Sequence, residues 1–102
     1  MSNNTTTSPI KGARSIGEFL FDYTINTTIN KITVSASFNE MNLGTINLTP
    51  ENSNQDVGKN TGLQEFLGTV SANYETSELS CTVEITEFGK VIYQNRGTLA
   101  TW

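Results

Sequence analysis

Few side chains in this sequence could carry out catalysis or hold a metal ion. The chain has no histidine and a single cysteine, Cys81. Zinc sites and nucleophile–base pairs draw mainly on these two residue types, so both are disfavoured. Carboxylate pairs such as Glu84 and Glu87 remain, but their strand-face or turn positions favour solvation over acid–base work. We therefore expect a protein that is not an enzyme, with no cofactor and no metal.

A second pattern resembles a cation loop only in part. Asn52, Asn54 and Asp56 place oxygen-bearing side chains at alternate positions before Gly58, as calcium loops do. The glycine comes one place late for an EF-hand, and the twelfth position is Leu63 rather than glutamate. These departures favour a solvated polar linker over a calcium site.

Aromatic residues outside the apolar phase of the strands are better candidates for function. Glycan-binding sites combine an exposed ring, which stacks on a sugar, with polar groups that fix its hydroxyls. Phe88 at a predicted hairpin tip and Trp102 at the end of the sequence are the candidate rings. Glu84 and Asn73 on polar strand faces are the candidate polar partners. The alternative is that these polar strand faces are simply solvated.

Charge limits the choice of partners. The net charge is −4, and the six basic residues are scattered singly along the chain, which argues against nucleic acid as a partner. No apolar run reaches the ~18 residues that cross a bilayer, so we expect no membrane insertion. Residues 1–8 are mostly Ser, Asn and Thr and do not resemble a secretory signal. The compartment stays open between cytoplasm, export by another route and prior processing.

The chain divides into an arm and one domain. Residues 1–15 contain one large apolar side chain beyond the first methionine, Ile10, together with Pro9 and Gly12, and predict a flexible polar arm. The remainder, residues 16–102, is long enough for a single domain.

Apolar residues alternate with polar ones in the first half of that domain. Two strands joined by a turn near residues 28–29 would place residue i opposite residue 57 − i, with every apolar side chain on one face. The next strand runs from Leu43 to Thr49. Its apolar side chains reach the same face only if Gly44 marks a bulge.

The second half repeats this pattern after a polar linker over residues 49–62. Leu63, Phe66 and Leu67 have helical spacing, and Thr61 with Gln64 resembles a capping box, which predicts one or two helical turns. A longer following strand is the alternative. Further on, a four-residue loop would place residues opposite each other whose numbers sum to 153. A three-residue loop over residues 87–89 would form the last hairpin.

Each half therefore predicts a three-stranded antiparallel meander with one apolar face. Stacking the two faces buries both. We predict an all-β fold, a small antiparallel β-sandwich of about six strands with a short helical turn in the crossover. A flattened barrel is the alternative. Cys81 lies on the apolar phase and is expected to be a buried, inert thiol.

These features favour a non-enzymatic recognition module, either lectin-like or adhesive, whose partner is a glycan or a protein. One alternative is a structural or assembly subunit of a coat, fibre or pilus. Leu20 and Ile92 fall on polar strand phases and favour that alternative, with a homo-oligomer as its form. Another alternative is a small inhibitor or immunity protein that acts through the linker or a hairpin tip.

Overall fold

A computed structural model describes residues 8–102 and contains two four-stranded antiparallel sheets, each a simple meander. The first has the order β1-β2-β3-β4 and the second the order β5-β6-β7-β8. The strands are β1 (Ile10–Ile16), β2 (Phe19–Asn26), β3 (Lys31–Phe38), β4 (Met41–Leu48), β5 (Asn54–Asn60), β6 (Gln64–Asn73), β7 (Glu78–Glu87) and β8 (Lys90–Thr101). The all-β class is confirmed. The prediction of about six strands was wrong, because both meanders have a fourth strand.

The register of β2 against β3 is the predicted one. Phe19 lies opposite Phe38, Phe21 opposite Ala36 and Ile25 opposite Ile32. The alternation of apolar and polar residues in β2 assigns its apolar side chains to one face, and these side chains point toward the second sheet. A register shift of one residue would expose them.

The predicted bulge in β4 is also present. Gly44 pairs with Ala36 and Asn42 with Ser37, which leaves Leu43 as the extra residue. Gly44 has a φ of 130°, a conformation that strongly favours glycine. The bulge turns Leu43, Ile46 and Leu48 into the core, where all three are buried.

The structure differs from the predicted arm over residues 1–15. Strand β1 pairs with β2 along its whole length, from Ile10 opposite Ile25 to Ile16 opposite Phe19. Only Ile16 of this strand is buried, so apolar periodicity gave no signal. Backbone hydrogen bonds hold an edge strand without burying its side chains. Residues 1–7 of the predicted arm lie outside the described part of the chain.

The helical turn predicted around residues 63–68 is wrong. Gln64 to Leu67 belong to β6, and the polar linker before them contains β5. The predicted capping contact does form, because the Gln64 backbone N–H donates to Thr61 Oγ1 at 3.2 Å. It closes a strand-to-strand turn instead of starting a helix.

Two predicted registers in the second sheet are shifted. Val70 pairs with Cys81 and Ala72 with Leu79, two residues away from the predicted register. The last hairpin has a two-residue loop instead of three, because Glu87 pairs with Lys90. Two bulges in β8 then change which of its side chains face the core. The second bulge turns Leu99 into the core, where it is 2% exposed.

The two sheets stack through one hydrophobic core. A chain of phenylalanine rings passes from the first sheet to the second, from Phe19 to Phe38 with ring centroids 4.9 Å apart and from Phe38 to Phe66 at 4.7 Å. Phe21 lies over Gly68 of β6, where a Cβ atom would stand 3.5 Å from its ring. The Phe21 ring therefore packs directly against the β6 backbone, within van der Waals reach of a Cβ at this position.

A tyrosine joins the sheets at the opposite end of the core. The Tyr74 hydroxyl lies 2.9 Å from the Leu48 carbonyl oxygen and 3.2 Å from that of Asn30. Tyr74 follows β6, while the two carbonyls flank β3 and β4, so this one hydroxyl links both sheets. Burial is the main reason that its pKa is raised, with the nearby Glu51 carboxylate adding to the effect.

Candidate functional site

The structure does not bring the four predicted site residues together. Phe88 lies in the β7–β8 turn, and Asn73 ends β6 at the other end of the sheet. The ten residues of β7 separate these ends, about 33 Å at ~3.3 Å per residue. Glu84 lies between them on the outer face, where its carboxylate accepts a hydrogen bond from Gln94 at 3.1 Å.

Trp102 and Asn73 each have a structural contact at that far end. Trp102 is half-buried and meets Tyr74 edge to face, with ring centroids 6.0 Å apart. Its backbone N–H donates to the Ser77 carbonyl at 3.0 Å. The Asn73 side chain accepts hydrogen bonds from two backbone N–H groups of the β6–β7 turn. Trp102 is therefore not the free ring that the sequence predicted.

Phe88 is the most exposed large apolar side chain of the described residues, at 82%. It has a φ of 53° and the following Gly89 a φ of 76°. Positive φ at both positions of a two-residue loop is the type I′ turn, which prefers Asn-Gly. A bulky side chain in the left-handed region is unfavourable. The fold therefore keeps an exposed ring where asparagine would be more stable.

Other exposed apolar side chains lie near this ring. Leu63 in the β5–β6 turn is 65% exposed, and Val91 and Ile92 at the start of β8 are 47% and 50% exposed. We call Leu63, Phe88, Val91 and Ile92 the apolar tip. Single exposed apolar residues are ordinary, but several at one end of a domain indicate a binding surface.

A shallow depression of about 150 Å³ lies between the two turns of the tip. It combines aromatic and aliphatic carbon with amide, carboxylate and hydroxyl groups. Its walls include Asn60, Leu63, Gln64, Glu65, Thr86 and Phe88. This is the combination of one ring and several hydrogen-bonding groups that small polar ligands require.

The sequence did not identify most of this depression. It pointed to Phe88, but it placed Leu63 in a helical turn and Asn60 in a linker. The available signal was turn chemistry, because Asn60 Oδ1 accepts a hydrogen bond from the Gly62 N–H at 2.8 Å and Gly62 has a φ of 97°. That signal indicates a tight turn, but not which turn lies beside it.

A larger depression of about 600 Å³ lies on the outer face of the second sheet. Its walls include Asn54, Ser71, Asn73, Glu78 and Ser80, and the Ser71 hydroxyl donates to the Asn54 side chain. This is part of the flat polar face that the sequence predicted. The aromatic residue in its wall is Tyr74, whose hydroxyl already links the two sheets. The apolar tip is therefore the stronger candidate site.

Cys81 is 3% exposed and faces the core. Burial raises the pKa of its thiol to about 12, and a thiol that stays protonated is a poor nucleophile. Within residues 8–102, no group of three or more cysteine, aspartate or glutamate side chains is arranged to hold a metal ion.

The raised pKa of Cys81 predicts a loss of stability at high pH. The free energy of unfolding should fall as pH rises from about 9 to about 12, because the unfolded chain releases a proton there that the folded chain retains. The raised pKa of Tyr74 also lowers the free energy of unfolding at high pH. Urea unfolding at a series of pH values measures this, and Cys81→Ala should make the decrease shallower. A flat or rising dependence would contradict the buried thiol.

These structural features define an antiparallel two-sheet fold with a candidate binding site at one end. No protein-family model, no curated protein and no solved structure significantly matches the chain. The described residues contain no helix with the length and apolar character of a membrane span.

Proposed function

We propose that this protein is a non-enzymatic recognition module that binds a glycan through the apolar tip. The observation that carries the proposal is Phe88, an almost fully exposed ring in a backbone conformation that disfavours it. Residues in such conformations cluster at functional sites, where the surrounding structure maintains the strain. Nothing in the core depends on this ring, so an external contact explains it best.

A sugar ring suits the surroundings of Phe88. The apolar face of a pyranose can stack on an aromatic ring, while its hydroxyls need fixed donors and acceptors. The Asn60 and Gln64 amides, the Glu65 carboxylate and the Thr86 hydroxyl line the same depression. Two amides and a carboxylate can each engage neighbouring hydroxyls through two atoms.

Charge favours neutral over anionic glycans. Glu65 lies in the depression and Glu87 precedes Phe88, whereas the basic residues Lys59 and Lys90 adjoin the two turns without lining the depression. The protein as a whole has a charge of −4. Sialylated or sulfated sugars would be repelled, so we expect neutral hexoses or N-acetylhexosamines as ligands.

A glycan array that carries neutral, sialylated and sulfated sugars tests the proposal. Wild-type protein should bind a neutral subset, and Phe88→Ala should lose that binding. The matched control is Ile29→Ala, because Ile29 is 61% exposed in the β2–β3 turn at the other end of the molecule. It should bind like the wild type. No bound glycan, equal binding by Phe88→Ala, or a preference for anionic sugars would each refute the proposal.

A further inference from the structure

The basic residues of this acidic protein are unevenly distributed. Strands β1 and β8 contain four of the six basic residues and no acidic residue, although Glu18 and Glu87 lie beside them. All four side chains are exposed. We call them the basic edge: Lys11, Arg14, Lys90 and Arg96.

Strands β1 and β8 lie on the same side of the molecule. A Cβ atom at Gly97 of β8 would stand 3.5 Å from the Ile16 side chain of β1. Within residues 8–102, each of these strands pairs with one neighbour, β1 with β2 and β8 with β7. Both therefore present a free row of backbone hydrogen-bonding groups beside the basic side chains.

Strands β4 and β5 form the other side. The Gln55 side chain of β5 donates to the Asn47 carbonyl of β4, and a Cβ atom at Gly44 would contact Val57 at 3.7 Å. These two strands are also the free edges of their sheets. Three acidic residues and one basic residue, all exposed, lie on or beside them. We call them the acidic edge: Glu40, Glu51, Asp56 and Lys59.

We propose that the protein self-associates head to tail, with the basic edge of one copy docked on the acidic edge of a second copy. Opposite charges attract across the two edges, and the free strands can extend each other's sheets. Pairing of two basic edges would oppose like charges. A dimer formed by a basic edge and an acidic edge still has one free edge of each kind. Further copies can therefore add to it and form a row.

Charge-reversal variants test the pairing of the two edges. The basic-edge variant is Arg14→Glu with Arg96→Glu, and the acidic-edge variant is Glu51→Lys with Asp56→Lys. These exposed substitutions should leave the fold intact. Sedimentation velocity at ~50 mM salt should show wild-type mass rising with concentration, and at ~500 mM salt a monomer, because salt screens exposed charges. Each variant alone should remain monomeric.

Mixing the two variants gives the sharpest result. The basic-edge variant keeps an intact acidic edge, and the acidic-edge variant keeps an intact basic edge. An equimolar mixture should associate although neither variant does so alone, because the intact acidic edge of one variant meets the intact basic edge of the other. The control Lys31→Glu changes an exposed basic residue of the inner strand β3 and should associate like the wild type.

This inference would be overturned if the wild type stayed monomeric at every concentration in low salt. It would also be overturned if either variant alone associated as the wild type does. A mixture that stays monomeric would overturn it as well. None of these variants changes the apolar tip, so glycan binding and self-association can fail independently.

Discussion

Replacing Phe88 by asparagine is expected to make the protein more stable and to abolish its glycan binding. Phe88 and Gly89 occupy a type I′ turn with φ values of 53° and 76°. The left-handed conformation costs an ordinary residue ~1–2 kcal/mol, and asparagine tolerates it best after glycine. We expect Phe88→Asn to raise the free energy of unfolding by about 1 kcal/mol, measured by urea denaturation.

The same substitution removes the only ring at the tip of this hairpin. Loss of an anchoring aromatic side chain typically costs a complex at least ~2 kcal/mol, or roughly 30-fold in affinity. Calorimetric titration with the neutral glycan selected on the array measures this loss. Phe88→Ala is the control, because it also loses the ring but gains no stability in the left-handed region. Unchanged affinity, or a Phe88→Asn protein less stable than the wild type, would contradict this account.

The second large effect concerns the contact between the sheets. Phe21 is fully buried and its ring lies over Gly68 of the facing sheet. Phe21→Ala should lower the free energy of unfolding by about 3–5 kcal/mol, because it removes the ring and leaves a cavity. That is a large share of the ~5–15 kcal/mol that stabilises a typical domain.

A double-mutant cycle shows whether these two residues meet across the core. Gly68→Ala alone should destabilise, because its Cβ would lie 3.2 Å from Val57 and 3.5 Å from the Phe21 ring. In a Phe21→Leu background the added methyl group fills part of the space that the ring leaves, so the same change should cost less. Urea unfolding of the four proteins measures the coupling. Strictly additive effects would contradict the stacking of β2 on β6.

Apolar periodicity predicted the strands whose side chains fill the core. It gave the β2–β3 register and the bulge at Gly44, because facing residues there are large and a slip would expose them. It missed β1 and β5, in which the buried side chains are only Ile16 and Val57. Edge strands are held by backbone hydrogen bonds, which any sequence can make.

Errors of register have a related cause. The predicted and observed pairings of β6 with β7 differ by two residues, and a shift of two leaves every side chain on the same face. The alternation of apolar and polar residues alone therefore cannot distinguish the two registers. In β8 the bulges at Ile92 and Leu99 change the phase twice, with no glycine at either position to indicate them.

The candidate site was predictable only residue by residue. The Phe-Gly pair at positions 88 and 89 marked a hairpin tip, and the structure leaves that ring exposed. Its neighbours around Asn60 and Leu63 belong to another hairpin, and only the order of strands in the sheet brings them beside Phe88. The half-burial of Trp102 was not predictable, because its contact with Tyr74 joins residues 28 positions apart, beyond any local pattern.

A glycan titration of isotope-labelled protein, followed by amide chemical shifts, shows where the ligand binds. With ligand at the apolar tip, the shifts are confined to residues 60–65 and 86–92, the two turns that carry Leu63 and Phe88. Shifts centred on the outer-face depression around Asn54, Ser71 and Ser80, or no shifts with any neutral glycan, would contradict binding at the apolar tip.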